Sequence, residues 1–551
     1  MNNLTKTSLS ATIALFAIAI LTACGNSDDR SIMMTEESGE AAPQIATETE
    51  APTAAADNLK GNLQPEEEDE PIALDTSGED YNPIEENPFL AVQNRPLSTF
   101  AIDVDSASYS NARRFINDGA LPPPDAVRIE EFINYFTYNY PQPEGDRPFS
   151  ITTEVSEAPW NRAHKLVRVG LQGKNVETEE LPPSNLVFLL DVSGSMNDSD
   201  KLPLLKEGFR LLAEELTEND RVAIVVYAGA SGVVLPSTPG NEKDKILTAL
   251  NRLQAGGGTA GSEGIQRAYE LARENFIEGG NNRVILATDG DFNIGVYSQS
   301  GLVNLIEQQR ESNIFLTVLG FGTGNLQDGK MEQLANKGNG NYAYIDSILE
   351  AKKVLVTELK GTLLTIAKDV KVQVEFNPAE IAAYRLIGYE NRLLRDRDFN
   401  DDTKDAGELG SGHSVTALYE VIPVGVETEV NLPDVDPLVY QQTQVDPEAY
   451  NNDELMQVKL RYKQPEGTES QLITQTVIDE GVRLEAASED FRFTAAVAAF
   501  GMLLRNSPYG GNLDFEEAIA LAKDAKGEDA EGYRAEFVRL AEMASLLARS
   551  R

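Results

Sequence analysis

A carboxylate and two hydroxyls follow an apolar run in NLVFLLDVSGSMNDSD, residues 185–200. Asp191, Ser193 and Ser195 stand at alternate positions directly after what should be a buried strand. A loop at a strand end can turn all three side chains towards one point. Their oxygens are hard donors, which suit Mg²⁺ or Mn²⁺ better than a soft metal. The segment therefore predicts either a cation site or a serine nucleophile.

A hard divalent ion needs more ligands than these three, and neighbouring loops can supply them. The glycine-rich AGGGTAGSEG contains Thr259, and VILATDGDFN places Asp289 directly after another apolar run. Gly256 to Gly258 allow the first of these loops to approach closely, because glycine has no Cβ. The predicted ligand set is Asp191, Ser193, Ser195, Thr259 and Asp289.

A serine nucleophile would need a general base. The chain has two histidines, His164 and His413, and both lie outside the segment that carries the serines. DVSGSM also differs from the G-x-S-x-G turn of serine hydrolases. We therefore expect no catalytic residues and predict that the protein is not an enzyme.

The surrounding segment alternates between predicted strands and helices. Four apolar runs are bounded by turn residues, as buried parallel strands usually are: Leu186–Leu190, Val222–Tyr227, Val284–Ala287 and Phe315–Leu319. Helical periodicity lies between them. This order predicts an α/β fold with a doubly wound, mainly parallel sheet, whose sites form beyond the carboxyl ends of the strands.

The N-terminus predicts export. Lys6 precedes ATIALFAIAILTAC, an apolar stretch too short to span a membrane and typical of a signal-peptide core. It ends in Leu21, Thr22, Ala23 and Cys24, which resembles the bacterial lipobox, where the cysteine is lipidated. Cys24 is the single cysteine of the chain, so no disulfide is expected. We expect a cell-envelope lipoprotein, in the outer membrane if the cell has one, that contacts the membrane through its lipid alone.

The charge balance argues against nucleic acid as a partner. The 551 residues carry 47 Lys and Arg against 89 Asp and Glu, a net charge of −42 that repels phosphate backbones. GFGTGN at residues 320–325 leads into no dinucleotide-binding unit, and no phosphate-binding lysine motif occurs, so no nucleotide is expected.

Composition and periodicity divide the chain into segments. Residues 24–87 are rich in Ala, Thr, Pro and acidic residues and too poor in large apolar ones to form a core. The predicted segments are a signal peptide (1–23), an acidic disordered tether (24–87), a small α+β region (88–180), the α/β domain (183–363) and a C-terminal domain that is β-rich and then helical (364–551).

One acidic loop offers a weaker second cation site. DFNDDTKDAGE begins at Asp398 and resembles the start of a calcium loop. The EF-hand pattern requires glycine where Thr403 stands and glutamate where Leu409 stands, so that match fails. Two interpretations of this loop are left: Ca²⁺ binding and a solvated charged turn.

The five ligand positions together resemble the metal-ion-dependent adhesion site of von Willebrand factor A domains. D-x-S-x-S after the first strand, a threonine in a glycine-rich loop and T-D-G after a later strand occur here in the family's order. The resemblance implies direct coordination by Ser193, Ser195 and Thr259, the last sometimes through water. Asp191 and Asp289 would act mostly through water, and a partner's carboxylate would complete the ion.

The flanking segments extend the resemblance. FAIDVDSASYSNARRFINDGALPPPDAVRIEEFINYF and AAYRLIGYENRLLRDRDFNDDTKDAGELGSGHSVTALYEV are similar to the corresponding regions of bacterial lipoproteins of the YfbK type. The predicted function is a lipid-anchored, metal-dependent module that binds a protein bearing an Asp or Glu carboxylate. Two alternatives remain: an envelope-assembly scaffold whose flanks carry the specificity, and an unrecognised hydrolase.

Overall fold

The structure is a computed structural model that describes residues 78–176, 182–228, 231–257, 261–290, 299–358, 361, 364–404, 406–428, 430, 432 and 445–550. The predicted signal peptide, Cys24, Thr259 and the tether as far as residue 77 lie outside the described residues. No helix in the described part is long and apolar enough to cross a membrane.

Strands occur before, within and after the predicted α/β domain. They are β1 (Leu90–Ala91), β2 (Leu97–Ala101), β3 (Phe149–Ala158), β4 (Asn161–Gly173), β5 (Ser184–Asp191), β6 (Arg221–Tyr227), β7 (Ser231–Pro239), β8 (Asn281–Thr288), β9 (Phe315–Phe321), β10 (Tyr342–Ile345), β11 (Thr365–Phe376), β12 (Ile381–Ile387), β13 (Gly407–Gly410), β14 (Ser414–Pro423), β15 (Glu454–Lys463) and β16 (Ser470–Ile478).

The helices fall into the same three parts of the chain. They are α1 (Ala107–Asn117), α2 (Ile129–Asn134), α3 (Leu202–Glu215), α4 (Lys243–Asn251), α5 (Gly261–Glu274), α6 (Gln299–Arg310), α7 (Asp328–Lys337), α8 (Ile348–Lys352), α9 (Glu489–Arg505), α10 (Phe515–Asp524) and α11 (Tyr533–Ala548).

The central sheet has the order β10-β9-β8-β5-β6-β7, and all neighbouring strands are parallel except β6 and β7. Side chains alternate across β5, so Phe188 packs with Phe209 of α3 on one face, while Leu189 packs with Ile265 of α5 on the other. Every residue of β5 is buried because helices cover both faces. The predicted doubly wound α/β fold is confirmed.

The segments before and after the central domain form two antiparallel sheets together. One has the order β1-β12-β14-β4-β3, and in the other β11 pairs with β2, β13 and β15, and β15 pairs with β16. The sequence treats residues 88–180 and 364–551 as two regions. In space they share both sheets, because β3 and β4 alone would leave long unpaired edges.

Two apolar clusters hold these flanks. Val169 of β4, Val374 of β11 and Tyr419 of β14 belong to a cluster to which strands of both antiparallel sheets contribute. Other residues of β4 and β14 join a second cluster, which includes Phe132 of α2 and Phe537 of α11. Helices from both ends of the chain therefore cover the same sheet.

Buried arginines join the flanks to the central domain. Arg128 pairs with Glu131 on its own side and lies 2.5 Å from Asp328 at the start of α7. Arg392, from the segment after β12, lies 3.1 Å from Asp105 and 3.3 Å from Glu332 of α7. All six side chains are nearly inaccessible to water, and removing one partner would leave a buried charge uncompensated. We call these six residues the α7 joint.

A second set of ion pairs fixes α8. Arg113 of α1 lies 2.5 Å from Asp346 and 2.7 Å from Glu350 of the central domain, and 2.8 Å from Glu536 of α11. The hydroxyl of Tyr135 donates to Glu350 at 2.7 Å. All three parts of the chain meet at this arginine.

Glu130, next to the α7 joint, should make stability depend on pH. Burial raises the pKa of Glu130 to about 7, and its Oε2 has no hydrogen-bond partner among the described residues. A raised folded-state pKa contributes stability that is full below the unfolded value and is lost as pH rises through about 7. When the pH is lowered from about 8 to about 5.5, the free energy of unfolding of the wild type should therefore rise by roughly 2 kcal/mol more than that of Glu130→Gln.

Urea unfolding of both proteins at the two pH values measures this difference. Glu278→Gln, at an exposed position, is the control and should follow the wild type. Identical pH dependence in Glu130→Gln and the wild type would show that Glu130 is ionised throughout.

Candidate metal centre at the carboxyl edge of the parallel sheet

The end of β5 turns two serine hydroxyls towards each other. Val192 N donates to the carbonyl of Tyr227 and so continues the sheet by one residue, and a tight helical turn follows at Gly194–Asn197. The carboxylate of Asp191 accepts from the Ser193 amide at 2.8 Å, which fixes the bend. The Oγ atoms of Ser193 and Ser195 then lie 3.0 Å apart.

The end of β8 brings the second carboxylate. Thr288 donates from Oγ1 to Asp191 Oδ2 at 3.2 Å and accepts from the Gly290 amide at 3.2 Å, so one hydroxyl links the two strand ends. Gly290 has φ of +101°, and a Cβ there would lie 2.7 Å from the Asn325 carbonyl oxygen. Asp289 is held between these fixed neighbours.

Asp289 has a cationic partner that the sequence pattern does not predict. The Nζ of Lys201, at the entrance to α3, lies 3.0 Å from Asp289 Oδ2 and 3.4 Å from Asn325 Oδ1. Lys201 is 5% exposed, whereas Ser195 is open to solvent. In the sequence, Lys201 is a single lysine that follows acidic loop residues. That pattern is ordinarily typical of a lysine exposed to solvent, so it does not indicate a buried partner for Asp289.

The two carboxylates differ in their electrostatic surroundings. Burial raises the pKa of Asp191 to about 6, although hydrogen bonds from Ser193 oppose the shift. Burial acts in the same direction on Asp289, but the Ser195 hydroxyl and the Lys201 ammonium outweigh it and lower the pKa of Asp289. Asp289 is therefore the better stabilised anion.

Thr259 lies outside the described residues, so its role stays a prediction. The loop that leads to it is hydrogen-bonded to the serine loop: Gly256 N donates to the Val192 carbonyl at 2.8 Å, and Gly194 N donates to the Gly257 carbonyl at 3.0 Å. A Cβ at Gly256 would meet nothing within 4 Å, so the close approach does not require glycine there, whereas Gly257 has φ of +87°, which favours glycine. The structure thus brings together Asp191, Ser193, Ser195 and Asp289.

The four described residues fit a hard divalent ion. Adjacent oxygens of an octahedral Mg²⁺ shell with bonds of about 2.1 Å lie about 3.0 Å apart. The Oγ atoms of Ser193 and Ser195, which are hydrogen-bonded to each other at 3.0 Å, already have this separation. All four residues offer only oxygen ligands, and one of them, Ser195, is open to solvent.

The two histidines are used elsewhere. His164 is buried in β4 with Nδ1 2.6 Å from Glu420 Oε1 of β14. Burial lowers the pKa of His413, which precedes β14. Neither makes a hydrogen bond to Ser193 or Ser195 in the described structure, so the base that a serine nucleophile needs is not supplied by histidine.

The glycine-rich loop after β9 contacts the chain's own N-terminal segment. Gly324 N donates to Glu79 Oε1 at 2.9 Å, and Asp80 N donates to the Leu326 carbonyl at 2.9 Å. Asp328 N donates back to the Asp80 carbonyl at 3.1 Å. The stretch that resembles part of a dinucleotide motif is therefore packed against residues 78–80.

Two lysines hold the backbone of the acidic loop around Asp398. Lys371 Nζ donates to the carbonyls of Asp398 and Asp401, and Lys463 Nζ donates to the carbonyl of Asp402. Calcium at this loop stays a prediction.

Comparison with known proteins defines the class of the central domain. Residues 185–357 match the model of the von Willebrand factor type A domain, residues 75–168 match a von Willebrand factor model, and residues 361–547 match the C-terminal model of the uncharacterized protein YfbK. A domain of this class is a protein-interaction or adhesion module. A solved von Willebrand factor type A protein from Catenulispora acidiphila is 16% identical, with 71% of this chain and 89% of that chain covered and a TM-score of 0.37.

The uncharacterized protein YfbK of Escherichia coli is 45% identical over 471 residues, which cover 84% of this chain and 80% of that protein. The chain therefore belongs to the YfbK family. Human inter-alpha-trypsin inhibitor heavy chain H3 is 26% identical over 43% of this chain and 28% of its own length. Neither relative is named as an enzyme.

The Thr288 hydroxyl should stabilise the candidate metal site through its hydrogen bonds to Asp191 and Gly290. Thr288→Val keeps the side-chain shape but removes the donor to Asp191 and the acceptor for Gly290, so we expect a loss of about 1–3 kcal/mol in the free energy of unfolding and weaker Mg²⁺ binding. Calorimetric titration with Mg²⁺ and urea unfolding test both effects. Thr238→Val removes another buried hydroxyl, on β7, and should reduce stability without changing Mg²⁺ affinity. Equal Mg²⁺ affinity in Thr288→Val would contradict the supporting role.

Proposed function

We propose that the protein is an exported, lipid-anchored binding module whose central domain captures a partner protein through a metal ion. Asp191, Ser193, Ser195, Thr259 and Asp289 hold Mg²⁺, or Mn²⁺ in its place, and an Asp or Glu carboxylate of the partner completes the ion. The observation that carries the proposal is the 3.0 Å separation of the two serine hydroxyls beside Asp191 and Asp289, at an edge where Ser195 is exposed.

The charge balance favours an anionic partner group. The site has two carboxylates, and one of them already faces the ammonium of Lys201 at 3.0 Å. A divalent ion held mainly by hydroxyls and water would keep residual positive charge, and such an ion is often the largest local charge in its site. A carboxylate gains most from that position, even though the chain itself carries a net charge of −42.

A second function is supported by the flanks. Their two shared sheets and the buried arginines Arg113, Arg128 and Arg392 tie the central domain to the rest of the chain. This arrangement suits a scaffold in which the central domain docks within a larger envelope complex. Removing the chain after Leu364 cannot test that idea cleanly, because β2 would lose its partner β11 and β4 would lose its partner β14.

Metal-dependent capture is tested with the double variant Ser193→Ala, Ser195→Ala. It removes two hydroxyl ligands without adding bulk, so Mg²⁺ affinity should fall by at least about tenfold, by analogy with other metal-site ligands. Capture of partner proteins from envelope extracts should then be lost, and EDTA should release what the wild type captures. Ser199→Ala, at an exposed position in the same loop, should behave as the wild type. Capture that survives both EDTA and the double variant would favour the scaffold.

Anchoring is tested at Cys24. We expect the wild type to fractionate with membranes and to incorporate labelled fatty acid, because Cys24 ends a lipobox-like stretch. Cys24→Ser should lose the label and leave the membrane fraction, since one signal for anchoring is removed. Outer-membrane sorting is read in the same experiment by density-gradient separation. If Cys24→Ser still incorporated labelled fatty acid, the lipid would be attached to another residue.

A further inference from the structure

Lys201 is placed by the backbone at the entrance of α3. Its amide donates to the Asp198 carbonyl at 3.1 Å, and its carbonyl accepts from the Leu205 amide at 2.8 Å. The residue therefore belongs to both the serine loop and the first turn of the helix. Its position relative to Ser193 and Ser195 is fixed by main-chain hydrogen bonds rather than by its side chain.

The lysine stem follows a path that glycine leaves open. Gly322, directly after β9, has φ of +72°, and a Cβ at this position would lie 2.2 Å from Lys201 Cε and 2.4 Å from its Cγ. The stem thus packs against bare backbone, which leads Nζ to Asp289 at 3.0 Å and to Asn325 at 3.4 Å. Lys201 is 5% exposed and its ammonium has two oxygen partners, so the surrounding structure fixes the position of this charge.

The Lys201 ammonium should have opposite effects on the metal-free and the metal-bound protein. Asp191 and Asp289 are both fully buried, and buried carboxylates without a compensating cation are strongly unfavourable. In the absence of a divalent ion, Lys201 compensates one of them. When a divalent ion binds beside Asp289, the same ammonium becomes a nearby like charge, and like charges at short range raise the free energy of the bound state.

We propose that Lys201 is a resident counter-cation of the metal centre, which stabilises the metal-free protein and weakens its affinity for the divalent ion. The inference rests on the metal centre of the proposed function, not on the capture of a partner, and goes beyond it, because it assigns a residue that opposes the metal. The consequence is a site that folds without its ion and loads it only when the ion is sufficiently concentrated. Lys201 is a positioning residue for Asp289 and does not itself hold the metal.

The test is Lys201→Met, which keeps most of the stem and removes the charge. The metal-free variant should melt at a lower temperature than the wild type, because the ammonium that faces Asp289 at 3.0 Å is removed. Its Mg²⁺ dissociation constant should fall by about tenfold, since the like charge is gone. Calorimetric titration of chelator-stripped protein with MgCl₂ gives the constants, and thermal melts at rising MgCl₂ should show a larger upward shift for the variant.

The matched control is Lys353→Met. Lys353 is 3% exposed and pairs with Glu358 at the other end of the central domain. Its removal should reduce stability and leave the Mg²⁺ dissociation constant unchanged. If Lys201→Met does not fold, Lys201→Gln replaces it, because glutamine keeps a polar end group without a charge. This variant should also bind Mg²⁺ more tightly.

The outcomes separate the inference from the proposed function. Tighter Mg²⁺ binding in the Lys201 variants supports the inference. If the wild type binds Mg²⁺ and the variants bind it equally or more weakly, the counter-cation role is overturned while the metal centre stands. If the wild type binds no Mg²⁺ but the variants do, the proposed metal-dependent capture fails and the inference holds. If none of them binds Mg²⁺, both fail.

Discussion

Backbone pairing between β4 and β14 is the constraint on which the rest of this structure depends. β4 precedes the central domain and β14 follows it, and their antiparallel ladder runs from Lys165 opposite Val421 to Gln172 opposite Ser414. The central domain is therefore an insertion whose two ends return to one sheet. β2 and β11 repeat the arrangement in the second sheet. The flanks cannot fold as two independent units, because each supplies the hydrogen-bond partners of the other.

Scarce cations are placed where carboxylates are buried. The chain has 47 basic residues against 89 acidic ones, yet Arg113, Arg128 and Arg392 each face two or more carboxylates between the flanks and the central domain. Lys201 does the same for Asp289 at the carboxyl edge of the sheet. The physical rule is the same at both places, since a buried anion is tolerated only with a partner.

The candidate metal centre and the α7 joint are connected by one short segment. Asn325 contacts Lys201 beside the candidate site, Leu326 accepts from the amide of Asp80, and Asp328 pairs with Arg128. A partner bound at the serine loop would therefore meet a surface whose neighbouring loop is fixed by the flanks. This gives the flanks a structural role in the binding module, whichever part of the protein carries specificity.

The sequence by itself determined the parallel strands of the central sheet and indicated which oxygen-bearing residues are candidate ligands. Apolar runs such as Leu186–Leu190 and the D-x-S-x-S spacing are local patterns, and a buried parallel strand followed by a loop has few other solutions. Tertiary structure alone decided that the ammonium of Lys201 meets Asp289, 88 residues away, and that Arg128 reaches Asp328, 200 residues away. It also decided that β4 pairs with β14. The reason is that long-range partners are chosen by which surfaces become buried together, and residue spacing along the chain does not encode that choice.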